Sequence, residues 1–531
     1  MDSITKSKSF KRKRTEDLKE INNAVKEFEN QVVKKLKKQL IFDLNNKMLP
    51  NGTELTEDLI ESYSKNYNSD PLNKISEQSI INIPIDYLAN IRNHYEYTYS
   101  HKLKVDLITT NQGNSGRCWM FAGLNMMRYI LIKNYHLPRN FELSQAYLFF
   151  WDKIEKANTF LETIIETKNN SMTDPYMQFL INKETCPLND GGYWHSFANL
   201  VSKYGIMPQS KYDECLNTLN SDLLNKFYVK KLFGYAFQIR HSDKTEEELR
   251  KLKDSIFMND VYSLISRFLS EPPNKFNWEI YTSKDDPTIP VKLIKMNDLT
   301  PLGFYNDLIE PEFNISGKIV LIHDPRENTK LYNTYIMRYY SNIVGKQPCS
   351  HIPVDLKTMK DAIFNSIDND KPCWIGCDMK DFDHHKSVLD PDGFDYDITL
   401  NNKDILKNKK DQLEMKLTSP CHAMCIVGID VKDNDLKTNC KNKKKYKYNG
   451  NCKSYKKFRV ENSWGQLSNC DDGYILMTDK WFDKYMYEVV VDFDLLPEKI
   501  QDLIEDSKYN PIELEHTDPL NQQKKNNILK F

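Results

Sequence analysis

The chain has 531 residues, with 74 Lys and Arg against 75 Asp and Glu, so its net charge of −1 provides no global attraction to nucleic acid or anionic membranes. Its 40% hydrophobic residues can form a substantial core, and its length fits about two or three domains. The absence of any apolar run of about 18 residues excludes a membrane-spanning helix, and without a hydrophobic signal segment we expect a cytoplasmic or nuclear protein.

Residues 1–52 form an N-terminal extension that begins with a basic cluster, Lys11 to Arg14. Apolar residues then alternate at spacings of three and four from Leu18 to Val32, which predicts an amphipathic helix for core or subunit packing. The basic cluster has two interpretations, a solvated tail and a nuclear import signal. An inhibitory prosegment is a further interpretation of the whole extension.

The next informative segment places Gln112 six residues before Cys118, at the predicted start of an amphipathic helix. The thiolate is the nucleophilic form of cysteine, and both a helix N-terminus and a nearby imidazole favour it. The Gln112 amide can donate to an oxyanion beside the backbone N–H of Cys118. A lone cysteine is more often a buried structural residue. With the later motifs, however, this layout indicates the nucleophile of a cysteine protease.

Two later motifs supply the partners of such a nucleophile. His422 opens an apolar run through Ile429 that predicts a buried strand, and Asn462 lies two residues before Trp464. An imidazole can take the thiol proton and return it to the leaving amine, while an amide oxygen on its far side fixes the tautomer of the ring. We therefore predict His422 as the base, Asn462 as its orienting partner and Trp464 as a shield for their hydrogen bond. A core histidine is the alternative for His422 taken alone.

These motifs, in this chain order, resemble the bleomycin hydrolase and aminopeptidase C family of papain-like cysteine peptidases. The resemblance covers residues 54–520 and extends to segments outside the motifs, namely Phe141–Lys153, Asn189–Trp194, Lys203–Gly205, Trp374–Asp378 and Gly473–Asp479. It implies the same four catalytic residues: Cys118 as nucleophile, His422 as base, Asn462 as orienting partner and Gln112 as oxyanion donor.

The resemblance also implies where substrate binds. Gly191 and Gly192 match the position where substrate backbone lies along the cleft, and such close backbone approach requires glycine. In the family the chain terminus lies in the cleft and its carboxylate meets the α-ammonium of the substrate, a role that would fall to Phe531 here. Because this tail is longer than the family's, Asp518 and Glu515 are alternative sources of the negative charge.

The fold that the resemblance implies is α+β and papain-like. A helical half carries Cys118, and an antiparallel, β-barrel-like half carries His422 and Asn462, with the cleft between them. The predicted regions are an N-terminal extension 1–52, a helical half 53–215, a helical insertion for subunit contacts 216–350, a β-rich half 351–498 and a C-terminal arm 499–531. A homohexamer is the assembly that the resemblance suggests.

Lysines dominate an insertion at residues 432–457, between His422 and Asn462. It contains ten lysines, and tyrosines flank Asn449-Gly450, which predicts a hairpin with its apex at that dipeptide. A solvated surface hairpin is one interpretation, and a nucleic-acid-binding surface is the other.

The eleven cysteines do not follow a zinc-binding spacing, and we interpret them as reduced thiols with no metal or cofactor. The predicted function is a cytoplasmic thiol aminopeptidase that removes N-terminal residues from short unfolded peptides through a Cys118 acyl-enzyme. An endopeptidase or peptide ligase with the same site is the alternative if the longer tail leaves the cleft open. A nucleic-acid-binding assembly that uses the basic insertion is the alternative from another class.

Overall fold

The structure is a computed structural model that describes residues 34, 55–69, 95–182, 186–285, 288–337, 341–383, 386–393, 408–431, 454–466, 473–515 and 518–521. The chain divides into two compact units, residues 1–79 and 80–531. In the first unit, helix α1 spans Glu57–Ser69. The basic cluster at Lys11 to Arg14 and the predicted helix from Leu18 lie outside the described residues.

The second unit contains the helices and strands that build the site. Helices α2 to α15 are, in chain order, Cys118–Tyr135, Gln145–Glu166, Pro175–Ile181, Trp194–Tyr204, Leu216–Leu219, Asp222–Arg240, Glu246–Leu252, Met258–Leu269, Pro301–Leu308, Glu310–Phe313, Leu356–Asp368, Lys409–Glu414, Asp479–Tyr485 and Glu498–Ser507. Strands β1 to β14 are His101–Lys102, Phe276–Tyr281, Leu293–Leu299, Lys318–Ile322, Tyr335–Met337, Cys349–Pro353, Cys373–Cys377, Phe382–Asp383, Val388–Leu389, His422–Val431, Tyr455–Glu461, Tyr474–Thr478, Met486–Asp492 and Ile512–Glu513.

Most strands belong to one large sheet in the order β14-β5-β6-β4-β13-β7-β10-β11-β12-β9-β8, with β1 paired to β10. Its pairs are mainly antiparallel, and the parallel ones are β4 with β6, β5 with β14 and β9 with β12. Strands β10 and β11 are antiparallel neighbours, so the sheet itself brings the chain near His422 beside the chain leading to Asn462. Helices in the first part of this unit and strands in the second confirm the predicted α+β, papain-like class.

The insertion predicted to be helical over 216–350 contains helices α6 to α11 but also strands. Helices α6 to α9 end at Leu269, and β2 and β3 then form a separate hairpin. Buried and exposed side chains alternate along the start of β2, the period-two pattern of a strand that is buried on one face. Strands β4, β5 and β6, within the same predicted insertion, join the large sheet.

Helix α2, which begins at Cys118, forms the centre of the core. It was predicted to be amphipathic, but every side chain from Cys118 to Ile132 is buried. One side packs on the sheet, where Trp374 Nε1 donates to Trp119 O at 3.2 Å, and the other sides face α3 and α5. A helix enclosed on all sides has no polar face, which explains why the pattern differs from the prediction. Among the helices of the described ranges, none combines the length and apolarity that crossing a membrane requires.

Candidate active site

The first turn of α2 meets the start of β10 at the predicted nucleophile. Cys118 is the first residue of α2, and the backbone N–H of Ala423 donates to its Sγ at 3.4 Å. Ala423 directly follows His422, the first residue of β10. His422 is 304 positions after Cys118 in the sequence. The fold nevertheless places Cys118 in contact with the residue that directly follows His422.

The imidazole of His422 is held by a hydrogen bond on its far side. His422 Nε2 lies 2.9 Å from Asn462 Oδ1, and the backbone N–H of Ser463 donates to the same oxygen at 2.8 Å. Two donors on this oxygen fix the orientation of the Asn462 amide, so Nε2 carries the hydrogen and Nδ1 is left as an acceptor. The Trp464 ring centroid lies 5.0 Å from that of His422, a position that covers this hydrogen bond.

Burial controls the protonation of both reacting groups. It raises the pKa of the Cys118 thiol to about 11, against hydrogen bonds from the backbone N–H groups of Ala423, Trp119 and Cys118. Burial also lowers the pKa of His422 to about 4, against its hydrogen bond to Asn462. Each charge by itself is penalised in this site. Proton transfer from thiol to imidazole creates both charges together, and their attraction in the dry cleft offsets the cost.

The side-chain amide of Gln112 is oriented from two sides. Ser463 Oγ donates to Gln112 Oε1 at 2.6 Å, and Gln112 Nε2 donates to the carbonyl of Ser115 at 2.7 Å. The backbone N–H of Gln112 also donates to Ser463 O at 2.9 Å. A side-chain amide has two hydrogens on nitrogen, so one remains for an oxyanion while the other holds the loop. Ser463 thus links the oxyanion loop to the Asn462 segment.

Arg117, which directly precedes the nucleophile, fixes the conformation of this loop. Its guanidinium is 0% exposed and pairs with Glu214 through two hydrogen bonds, of 2.9 and 2.8 Å. Its Nε donates to Ser115 Oγ at 2.8 Å, and its terminal nitrogen also donates to Thr218 O at 2.8 Å and Gln112 O at 3.4 Å. One buried cation therefore joins the irregular segment before Cys118 to the segment that contains Glu214 and Thr218.

A wall next to the nucleophile contains Gly191 and Gly192. A Cβ at Gly192 would lie 2.4 Å from the Trp119 indole, so packing against the residue after the nucleophile already requires glycine there. Lys156 Nζ donates to the Gly191 carbonyl at 2.6 Å and pairs with Asp152 at 2.8 Å. A buried lysine thus holds the backbone that is predicted to lie along the substrate.

Asp190, the residue before these glycines, connects the wall to the nucleophile loop. Lys153 Nζ lies 2.8 Å from its carboxylate, and the backbone N–H of Gly116 donates to it at 3.3 Å. Burial alone would raise the pKa of Asp190, but the ion pair with Lys153 and the hydrogen bond from Ser221 lower it. Asp190 is therefore a permanent anion that joins the two segments.

The C-terminal arm reaches the same wall. Tyr193 OH donates to Leu520 O at 3.4 Å, and Leu520 is fully buried against Ile322, Leu413 and Tyr487. Asp518, predicted as a possible counter-charge for a substrate, pairs with Arg326 at 2.8 Å, a guanidinium that Asp324 also contacts at 2.8 Å. Glu515 is exposed, and Phe531 lies outside the described residues.

Several residues of the site were not predicted from the sequence. Arg117 directly precedes α2, and the lysines at 153 and 156 lie on α3, where buried charge usually has a specific partner. The sequence shows these charges, but neither their burial nor their partners. The residues concerned are Arg117, Glu214, Lys153, Lys156, Asp190 and Ser463.

The basic insertion and the cysteines add little to the site. Residues 432–453 lie outside the described part, and the strands on either side, β10 and β11, pair as Val431 with Tyr455. The eight cysteines that the structure describes are free thiols. Within the described residues no cluster of three or more His, Cys, Asp and Glu is placed to hold a metal ion.

A buried cysteine at a helix N-terminus, a histidine on a strand of the facing sheet and an asparagine behind the ring define a papain-like thiol peptidase. Comparison with known proteins is consistent with this class. The model of the Peptidase C1-like family matches residues 54–521, and the chain belongs to this family.

Individual relatives match over most of their length. Bleomycin hydrolase of Gallus gallus is 33% identical over 417 residues, which cover 77% of this chain and 85% of the relative, and the Homo sapiens protein is 33% identical over 419 residues with the same coverage. Aminopeptidase C of Lactobacillus helveticus is 29% identical over 482 residues, covering 88% of this chain and 98% of the relative. A crystal structure of PepW from Lactobacillus rhamnosis has a TM-score of 0.76 and 27% identity, covering 88% of this chain and 99% of that one.

Proposed function

We propose that the chain is a cysteine aminopeptidase in which Cys118 is the nucleophile, His422 the general base and acid, Asn462 the orienting partner and Gln112 the oxyanion donor. The observation that carries the proposal is the convergence at Cys118 Sγ. The residue after His422 donates to this sulfur at 3.4 Å, while the histidine is oriented by Asn462 at 2.9 Å.

The reaction follows from the tautomer of His422. Its free Nδ1 accepts the Cys118 proton, and the thiolate attacks the carbonyl carbon of the first peptide bond. The negative oxygen that forms is stabilised by Gln112 Nε2 and the backbone N–H of Cys118. As the C–N bond breaks, the imidazolium returns the proton to the leaving amine, and a thioester with the N-terminal residue remains. Water, deprotonated by His422, then hydrolyses the thioester.

The C-terminal arm supports cleavage from the N-terminus. Residues 518–521 pack against Tyr193, which follows the two glycines predicted to line the substrate. We propose that an arm in this position limits the space for substrate residues before the cleaved bond. The relatives named aminopeptidase C support the same specificity.

Product analysis on matched peptides tests the proposal. A short peptide with a free N-terminus should lose one residue at a time, and the same peptide with an acetylated N-terminus should be cleaved far more slowly. The Cys118→Ala variant should cleave neither, because the remaining site has no nucleophile, and its unfolding midpoint should stay close to that of the wild type. Equal cleavage of both peptides would instead identify an endopeptidase with an open cleft.

Deleting residues 515–531 tests the arm separately. The truncated enzyme should cleave the acetylated peptide better and the free-amine peptide less well, since the arm both limits the cleft and contributes to amine recognition. Unchanged preference after the deletion would contradict a role for the arm.

We also propose a cytoplasmic location and assembly into a homohexamer. Exposed apolar side chains on α7, among them Leu223, Phe227 and Phe237, support burial against other subunits. Light scattering coupled to size-exclusion chromatography tests the assembly. Replacing these three residues by Ser should reduce the measured mass if α7 contributes to the interface.

A further inference from the structure

Glu488 is a buried acid that the mechanism above does not use. It is 3% exposed on β13, and burial raises the pKa of its carboxyl to about 8. Other buried acids of the site have cations beside them, as Glu461 has Arg128 at 2.6 Å and Asp190 has Lys153 at 2.8 Å. For Glu488, burial accounts for the raised pKa, and among the described residues no cation counters it. A carboxyl kept in this state is costly, which calls for a reason other than packing.

The sheet register places Glu488 on the face covered by α2. Residues directly opposite each other in neighbouring antiparallel strands point to the same face. Val490 of β13, Trp374 of β7 and Cys425 of β10 form one such row, and it packs on α2 because Trp374 Nε1 donates to Trp119 O and Cys425 Sγ donates to Ala122 O at 3.0 Å.

The next row on that face lies at the N-terminal end of α2. It consists of Glu488, Gly376 and Ala423, in that order across β13, β7 and β10. Ala423 is the residue whose N–H donates to Cys118 Sγ. Glu488 therefore lies in the same row of the sheet as the residue that contacts the reacting sulfur.

The carboxyl group itself extends over the middle strand of this row. A Cβ at Gly376 would lie 2.7 Å from Glu488 Oε2 and 3.2 Å from Glu488 Cβ, so the absence of a side chain at Gly376 makes room for the carboxyl. Neighbouring strands are about 4.8 Å apart, which places the carboxyl about one strand spacing from the strand that carries Ala423. A group bound at that distance lies beside the substrate atoms that precede the attacked carbonyl.

We propose that Glu488 is a specificity-determining residue that binds the α-ammonium of the N-terminal substrate residue. This proposal rests on the proposed aminopeptidase function. The α-nitrogen of such a substrate is on the carbon next to the attacked carbonyl, and a cation in a dry cleft needs an anion. A neutral α-amine can take the proton of the carboxyl as it binds, giving a carboxylate and an ammonium with no net proton uptake. The ordinary pKa of an α-amino group, about 7.7–8.0, suits that transfer.

Binding measurements without turnover test the proposal directly. The protein is the full-length Cys118→Ala variant, and the ligands are a dipeptide amide with a free α-amine and its des-amino analogue of the same shape. Titration calorimetry should give a Kd for the free amine that is lower than that of the analogue by about tenfold or more. Adding Glu488→Gln should remove most of the difference between the two Kd values, leaving the part that the C-terminal arm contributes. A difference that stays the same size after Glu488→Gln would overturn the proposal.

Kinetics in the active enzyme provide a second measurement. Glu488→Gln should raise KM for free-amine peptides by about tenfold with little change in kcat, since the anion binds substrate and transition state alike. Gly376→Ala, which intrudes on the carboxyl, should produce the same selective change. Glu488→Asp keeps the charge on a shorter side chain and should retain part of the preference. It is also the variant to measure if Glu488→Gln does not fold.

Two further outcomes separate this proposal from its alternatives. If Glu488→Gln affects only peptides with a basic side chain next to the cleaved bond, the carboxyl recognises that side chain and the α-ammonium assignment is wrong. If the wild type cleaves no peptide at all, the proposed function fails, but the calorimetric comparison on the Cys118→Ala background still decides whether Glu488 binds an ammonium.

Discussion

On the helical side of the cleft, the loop from Gln112 to Cys118 is held by buried ions, whereas on the sheet side His422 and Asn462 are held by strand pairing and one neutral hydrogen bond. Arg117 pairs with Glu214 at 2.8 Å on the first side. The second side has the 2.9 Å contact between His422 and Asn462 at the ends of neighbouring strands.

The difference follows from the backbone. A strand pair fixes the positions of its side chains through the register of the ladder, so β10 and β11 need little else to place their two residues. An irregular loop lacks a repeating hydrogen-bond pattern, and its carbonyl groups need other donors. A guanidinium, with five N–H groups in a rigid plane, can supply several of these donors at once. The helical side is therefore more sensitive to the loss of one charge.

Removing the base, which lies on the sheet side, should have the largest effect on kcat. We expect His422→Ala to lower kcat by about five orders of magnitude, because the thiol then has no proton acceptor and the leaving amine no donor. Stopped-assay kinetics at saturating peptide measure this change. His241→Ala, at an exposed position after α7, is the control and should leave kcat unaltered. A decrease of less than tenfold in His422→Ala would show that another group acts as base.

Removing the oxyanion donor, which lies on the helical side, should have a smaller effect on kcat. Gln112→Ala should lower kcat by about two to three orders of magnitude with little change in KM, since the amide acts mainly in the transition state. Steady-state kinetics separate the two constants. A raised KM at constant kcat would make Gln112 a binding residue instead and would contradict its assignment.

Weakening the ion pair between Arg117 and Glu214 should distinguish the two sides of the cleft most clearly. Glu214→Gln leaves Arg117 without its anion, and we expect it to destabilise the fold by about 3 kcal/mol and to lower kcat by about tenfold as the Gln112 loop relaxes. Urea unfolding and steady-state kinetics measure the two effects. The matched control is Glu162→Gln on α3, which removes the anion beside the buried Lys253. It should lower stability without lowering kcat.

The pH dependence of stability tests the protonation of Glu488 on the sheet side. The pKa of Glu488 is about 8 in the folded state against an ordinary value of 4.5, so the folded protein keeps a proton that the unfolded chain releases between these values. Its contribution to stability therefore falls as pH rises through this window and is constant above it. Relative to wild type, the free energy of unfolding of Glu488→Gln should rise by roughly 1 kcal/mol per pH unit between pH 5.5 and 7.5. Urea titrations at three pH values measure the free energy of unfolding of both proteins. If the two free energies change in parallel with pH, the Glu488 carboxyl is ionised over this whole range.

The sequence by itself determined the start of α2 at Cys118, the buried strand at His422 and the class of peptidase. Each of these depends on a local pattern or on the order of short motifs. The region 216–350 was predicted to be helical because the resemblance indicated a region, whereas the alternating burial of Phe276 and Trp278 in β2 requires a strand within it.

Only the tertiary structure decided which charges are buried and what they contact. Arg117 and Glu214 are 97 residues apart, and neither has a local pattern that identifies the other. The same holds for Asp518, whose partner is Arg326, and for Glu488, whose position over Gly376 depends on the register between β13 and β7. Contacts of this kind are set by strand pairing and segment packing across long stretches of chain. Helical and strand periodicity report only which face of an element is buried, so periodicity cannot specify these long-range contacts.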